Sequence, residues 1–147
     1  MTDTGLLIAG ERLIAALPET LFEFVADPNK HQLIDGSGTV RDPVTSAPAR
    51  LSLGAKFGMS MKLGVPYRIT NTVVEFEEGK RIAWKHVGGH VWGYEFTPSD
   101  GGTLVREWVD YNRSRSKFFI KAMGSVARAR RSIDETLRRL EAAATAT

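Results

Sequence analysis

His31, Asp35 and Ser37 fall within the short run HQLIDGSG. These are the three side-chain types of a hydrolase triad, in which a histidine takes a proton from a serine and an acid orients the histidine. A triad also needs the nucleophile on a strained turn with backbone donors for an oxyanion, and nothing in the run supplies either. His31 and Asp35 are spaced to share one face of a short helix, and Asp35-Gly36-Ser37-Gly38 is turn chemistry. The expectation is a turn at the mouth of a site, with His31 outside it.

Other residues are better placed for chemistry. His86 follows Trp84 on one face of a strand, and an imidazole titrates near neutrality, which suits a general acid or base. His90 falls in a Gly-Gly-His turn and is expected to be exposed. Glu107 lies in a strand with two readings: Val105, Glu107, Val109 and Tyr111 form one face, Leu104, Arg106, Trp108 and Asp110 the other. The first set is favoured inward, which buries Glu107. Arg130 falls inside the apolar stripe of a long helix, between Val126 and Ile133. A guanidinium cannot shed its charge, so facing the core it needs an anion. Asp134 one turn on, Glu107 and a ligand carboxylate all remain open as partners.

Other chemistries find no support. The only histidines are 31, 86 and 90, and there is no cysteine, HxH or HExxH, so no metal site is expected. Without cysteine there is no disulfide and no thiolate nucleophile, which fits a reducing compartment. The Gly-Ser-Gly lacks both the strand–GxGxxG–helix setting and a phosphate-loop lysine, so no cofactor is expected.

The elements that position these residues follow from periodicity. Residues 5–16 read as a first strand with a possible break at Gly10. Pro18 and Glu19 begin a helix carrying Leu21, Phe22 and Val25 at helical spacing, and Asp27-Pro28 ends it. A second short helix covers 29–34. Strands follow at about 38–46, 55–63, 66–77, 80–87, 91–97 and 103–111, joined by glycine-bearing turns. A change of phase between Asn71 and Phe76 predicts a bulge. Residues 115–143 read as one long helix. Seven strands and two short helices leave that last helix as the only cover long enough for the sheet's apolar face. A ligand would sit where sheet and helix diverge.

The chain has 147 residues, 42% of them hydrophobic, which suits one domain with a true core. Net charge is +3, gathered towards the end: from Arg113 on there are nine Lys/Arg against three Asp/Glu. The final helix carries Phe119, Met123, Val126, Ile133, Leu137 and Leu140 on one side. Lys117, Lys121, Arg128, Arg131 and Arg138 lie on the other, so the basic tail reads as a solvated face, with no nucleic acid expected. No apolar run reaches membrane-spanning length and no leader peptide is read, so a cytoplasmic protein without stable membrane insertion is expected.

The first strand, PETLFEFVADPNKHQLIDGSGTV, the hairpin EFEEGKRIAWKH, TPSDGGTLVREW and the long final helix together resemble the START-like, helix-grip superfamily. Within it the chain is similar to the polyketide cyclase/dehydratase and lipid-transport (SRPBCC) family of actinobacterial type. The likeness runs from about residue 8 to 140. It implies an α+β helix-grip fold: a seven-stranded antiparallel sheet wrapped around a long C-terminal helix, with two short helices between strands 1 and 2, all in a single domain over 1–147. It also implies an apolar cavity between sheet and helix, since members bind lipids, sterols, polyketides or hormones and some cyclise or dehydrate polyketides. The family has no shared catalytic motif, so no catalytic residue carries over.

The expected partner is therefore a hydrophobic small molecule, held by a monomer or homodimer. Its site would be lined by Met59, Met61, Trp84, His86, Trp92, Tyr94, Phe119 and Met123, with Glu107 and Arg130 as polar anchors. Two alternatives stand beside this one. One is a polyketide cyclase or dehydratase with His86 or Glu107 as general base and Arg130 or Tyr94 supporting an oxyanion. The other is a regulatory protein-interaction domain using the basic helix face.

Overall fold

The first strand, β1 (Leu7–Ile14), alternates as a half-buried strand should: Ile8 and Ile14 enter the core while Glu11 and Leu13 face solvent. The computed structural model describes residues 7–36, 40–43, 48–63, 65–86, 89–112 and 125–146, with backbone alone for 40–43, 59–63, 65–69 and 125. Gly10 does not interrupt β1, which pairs along its whole length with β7 (Gly102–Asp110). A Cβ on Gly10 would stand 2.8 Å from Ile133 Cγ2, so the missing side chain lets the final helix close on the strand.

Helix α1 (Pro18–Ala26) starts on a proline at its first turn and stops at Asp27, whose extended backbone the following Pro28 favours. The Asp27 side chain accepts from Asn29 N–H at 2.9 Å and opens a single 3₁₀ turn, Pro28–Lys30. That turn runs directly into α2 (His31–Ile34).

The remaining strands are β2 (Val40–Pro43), β3 (Lys56–Leu63), β4 (Val65–Glu77), β5 (Arg81–His86) and β6 (Val91–Ser99). They form one antiparallel sheet of seven strands in the order β1-β7-β6-β5-β4-β3-β2. The expected phase change is a bulge: Val73 pairs with Trp84 and Glu75 with Ala83, leaving Val74 unmatched and exposed. Before the bulge Asn71 and Val73 face inward; after it Phe76 does. Gly79, at φ 73°, closes the β4–β5 hairpin, where Lys80 N–H donates to the Glu77 carbonyl.

Helix α3 (Ser125–Thr145) lies across the sheet, packed mainly on β1 and α2. The part of the expected long helix before residue 125 lies outside the described residues. Ala129, Ile133, Leu137 and Leu140 enter the core with Ile8, Phe22, Ile82, Val105 and Val109. Ser132 and Thr136 are buried as well, because the chain after α2 packs on them: Gly36 N–H donates to Thr136 Oγ1 at 2.9 Å. This contact turns the helix so that Arg130 is exposed. The expectation that Arg130 faces the core is thereby corrected. It rested on the large apolar side chains alone and left out the small buried ones. Arg128, Arg131 and Arg138 face solvent as the spacing predicts, whereas Lys117 and Lys121 lie outside the described residues.

The outer face of the sheet carries a second small cluster. Trp108 lies over Gly93 and Ala83 beside Ala9, and the guanidinium groups of Arg81 and Arg106 stack on its ring, 4.4 and 5.5 Å from it. Trp108 is thus buried although it belongs to the outward set of β7.

Candidate functional site

The inner face of the sheet brings aromatic side chains together in rows, because cross-strand partners on one face stand side by side. Trp84 on β5 is opposite Trp92 on β6, and Tyr94 on β6 is opposite Glu107 on β7. Trp84 also meets Phe57 edge-on at 5.4 Å and Tyr94 at 5.8 Å. Trp84 and Trp92 keep partial exposure within this cluster.

Glu107 is the polar centre of the group. It has no exposed surface, in keeping with the inward set favoured from sequence. Trp92 Nε1–H donates to its Oε2 at 2.6 Å and the Tyr94 hydroxyl also hydrogen-bonds the carboxyl, while Oε1 has no hydrogen-bond partner. Burial pushes the Glu107 carboxyl up to about 8; its bonds to Trp92 and Tyr94 pull it down, and Asp35 and Asp134 push it further up. Near neutral pH it carries a proton and can donate a hydrogen bond, so a general-base role does not suit it there. Burial, then Glu107 itself, pushes the Tyr94 hydroxyl well up, so it stays protonated too.

His31 was expected outside the site. It is buried, stacked on Trp84 with centroids 5.2 Å apart and planes at 22°, edge-on to Phe57, and bonded through Nε2 to the Val25 carbonyl at 2.7 Å. A signal for this was present: His31 and Ile34 share the buried face of α2 at i, i+3 spacing. Burial lowers the His31 pKa despite the bond to Val25.

His86 is half-buried on the inner face, opposite Asn71. His90, expected exposed, instead stacks on His86 at 4.3 Å and tilts against Tyr111. The β5–β6 turn explains the stack, since His86 N–H donates to the His90 carbonyl and holds the two residues opposite each other. Burial lowers both imidazoles, His90 to about 4 with His86 adding to the effect.

Of the other expected lining residues, Met59 and Met61 are placed by backbone alone, on β3 opposite Ile69 and Tyr67. Phe119 and Met123 lie outside the described residues. Arg130, being exposed, is not brought to Glu107. Among the described residues no cluster of three or more His, Asp or Glu side chains could hold a metal ion. Nor is any described helix long and apolar enough to cross a membrane.

A cleft of about 580 Å³ opens elsewhere, between the start of α1 and the β4–β5 turn, lined by Glu19, Glu23, Glu78, Lys80, Arg81 and Glu95 among others. Its charges largely satisfy one another: Arg50 bridges Glu23 and Glu78, and Arg81 bridges Glu75 and Glu95. It is a surface ion-pair network remote from the aromatic cluster.

The sequence profile of a family described as polyketide cyclase / dehydrase and lipid transport matches residues 7–145. The Mycobacterium tuberculosis protein Rv0088, itself uncharacterized, is 45% identical over 101 residues, which is 67% of this chain and 45% of the relative. The chain thus spans about half the length of the curated relatives it matches. Among solved structures, protein CV1439 from Chromobacterium violaceum superposes with a TM-score of 0.74 at 14% identity, covering 98% of this chain and 100% of that one. An AHSA1-like protein from Aeromonas hydrophila gives 0.66 at 21% identity, with 93% of each chain covered. At these identities the structural likeness shows the fold.

Proposed function

The chain belongs to the polyketide cyclase / dehydrase and lipid transport family, and on that premise we propose that it binds an apolar small molecule between the sheet and α3. The observation that carries this reading is the group around Glu107, a buried carboxyl with one oxygen unpartnered beside aromatic walls made by Trp84, Trp92 and Tyr94. Buried polar atoms are normally satisfied, and one left open among aromatic surfaces is what a ligand's polar group would complete. Met59, Met61, Phe119 and Met123 belong to the same proposed lining. The reading takes 1–147 as one domain, which the single sheet and main core support. Fatty acids, long-chain ketones and aromatic polyketides added to the purified protein should raise its melting temperature and alter tryptophan emission. If no class does either, the binding reading fails.

A cyclase or dehydratase is the second reading, and His86 favours it. Its imidazole is held neutral by burial on the inner face, which makes it the better base, with protonated Glu107 as hydrogen-bond donor to a substrate carbonyl. Unchanged turnover of a confirmed substrate in His86→Ala would remove this reading.

A further inference from the structure

The surroundings of Glu107 also select among ligands, and the argument rests on the binding reading just given. Each element packed around the carboxyl contributes an acid, a neutral donor or nothing. From β6, Trp92 N–H and Tyr94 O–H point at the carboxyl and are occupied by it. From β1, Gly10 is the cross-strand partner and has no side chain, and its missing Cβ would stand 3.6 Å from Asp134 Oδ1 on α3. The chain after α2 brings Asp35, whose charge also bears on Glu107. The next inward cation on β1, Arg12, is held at the rim by Glu141 at 2.8 Å. The sole open valence of the group, Oε1, is buried.

We infer that the ligand presents a neutral carbonyl oxygen to Glu107, and that free carboxylates, fatty acids included, are rejected by the acids Glu107, Asp35 and Asp134. A carboxylate there would lose its water and meet like charges with no cation to compensate. A carbonyl accepts from the carboxylic acid and fills the open position at no charge cost. Because burial keeps the proton on Glu107 up to about pH 8, the donor persists through neutral conditions.

The test is a matched series on two skeletons, read by calorimetry and tryptophan fluorescence on the full chain. Acetylnaphthalene, naphthoate and naphthylmethylamine form one set; methyl undecyl ketone, dodecanoate and dodecylamine form the other. The ketone of each set is expected to bind on the order of tenfold or more tighter than its carboxylate. Glu107→Gln, which keeps an N–H donor, should retain ketone binding, and Glu107→Leu should lose the preference for ketone over plain hydrocarbon. Circular dichroism checks that both variants fold, and the wild-type series stands even if they do not. A carboxylate or an amine that binds as tightly as its ketone overturns this inference while leaving the binding reading intact. Failure of all six probes and of the wider ligand panel sinks the binding reading itself.

Discussion

His31 lies against Trp84 with ring centroids 5.2 Å apart, while its Nε2 reaches the Val25 carbonyl at 2.7 Å. One imidazole therefore ties α2 to β5 through its face and to α1 through its edge. His31→Phe keeps a stacked ring and loses the bond, leaving a buried carbonyl without its partner. The expected loss is about 1–3 kcal/mol in urea unfolding. His31→Ala should cost more, since it also removes the ring. Equal stability of His31→Phe and the wild type would mean that water replaces the bond.

Glu107 sets an alkaline limit on stability. Its folded pKa of about 8 stands above the ordinary 4.5, so the folded state keeps a proton that the unfolded chain has released. This contribution is fully present below 4.5 and lost as pH rises towards about 8, at up to about 1.4 kcal/mol per pH unit. Glu107→Gln should flatten that limb in denaturant titrations. If the wild type and the variant keep parallel profiles, the carboxyl is already ionised in the folded protein.

The histidines set the acid limit. His31, His86 and His90 all have lowered values, His90 about 4 against an ordinary 6.5, so the unfolded chain protonates first. Their contribution is complete above 6.5 and lost as pH falls towards 4. With Glu107 acting in the opposite sense, the melting temperature should peak near pH 6.5. His90→Asn should soften the acid limb. A melting temperature that climbs steadily on acidification contradicts this account.

Two glycine substitutions should separate space from backbone. A Cβ on Gly36 would collide with the Ser132 carbonyl and Thr136 amide of α3, which as backbone cannot turn aside. Gly36→Ala should therefore cost about 1–3 kcal/mol and loosen α2 from α3. Gly54 has open space but sits at φ +82°, so Gly54→Ala should cost about 1 kcal/mol without moving its neighbours. Hydrogen exchange along α2 distinguishes the two, since only the first variant should raise it.

Much of the architecture was legible in the sequence because strand alternation reports local geometry. Val105 and Val109 flanking Glu107 gave its facing, and the change of phase past Asn71 gave the bulge at Val74. What was not legible depends on contacts between distant segments. The facing of Arg130 is set by Gly36 meeting Ser132 and Thr136, and no periodicity within the helix reveals that. The burial of His31 depends on where Trp84 arrives, and the pairing of His90 with His86 on the geometry of one turn.

The pairing of β1 with β7, running from Leu7 with Asp110 to Ile14 with Thr103, also governs how the molecule is made. A strand near the start of the chain has its hydrogen-bonding neighbour close to the far end, so the loop closed between them is long. As the polypeptide leaves the ribosome, β1 remains without that partner until β7 has emerged. Folding is then expected to be slow for the chain's size, and the interval of exposed strand edge is when misassociation threatens most.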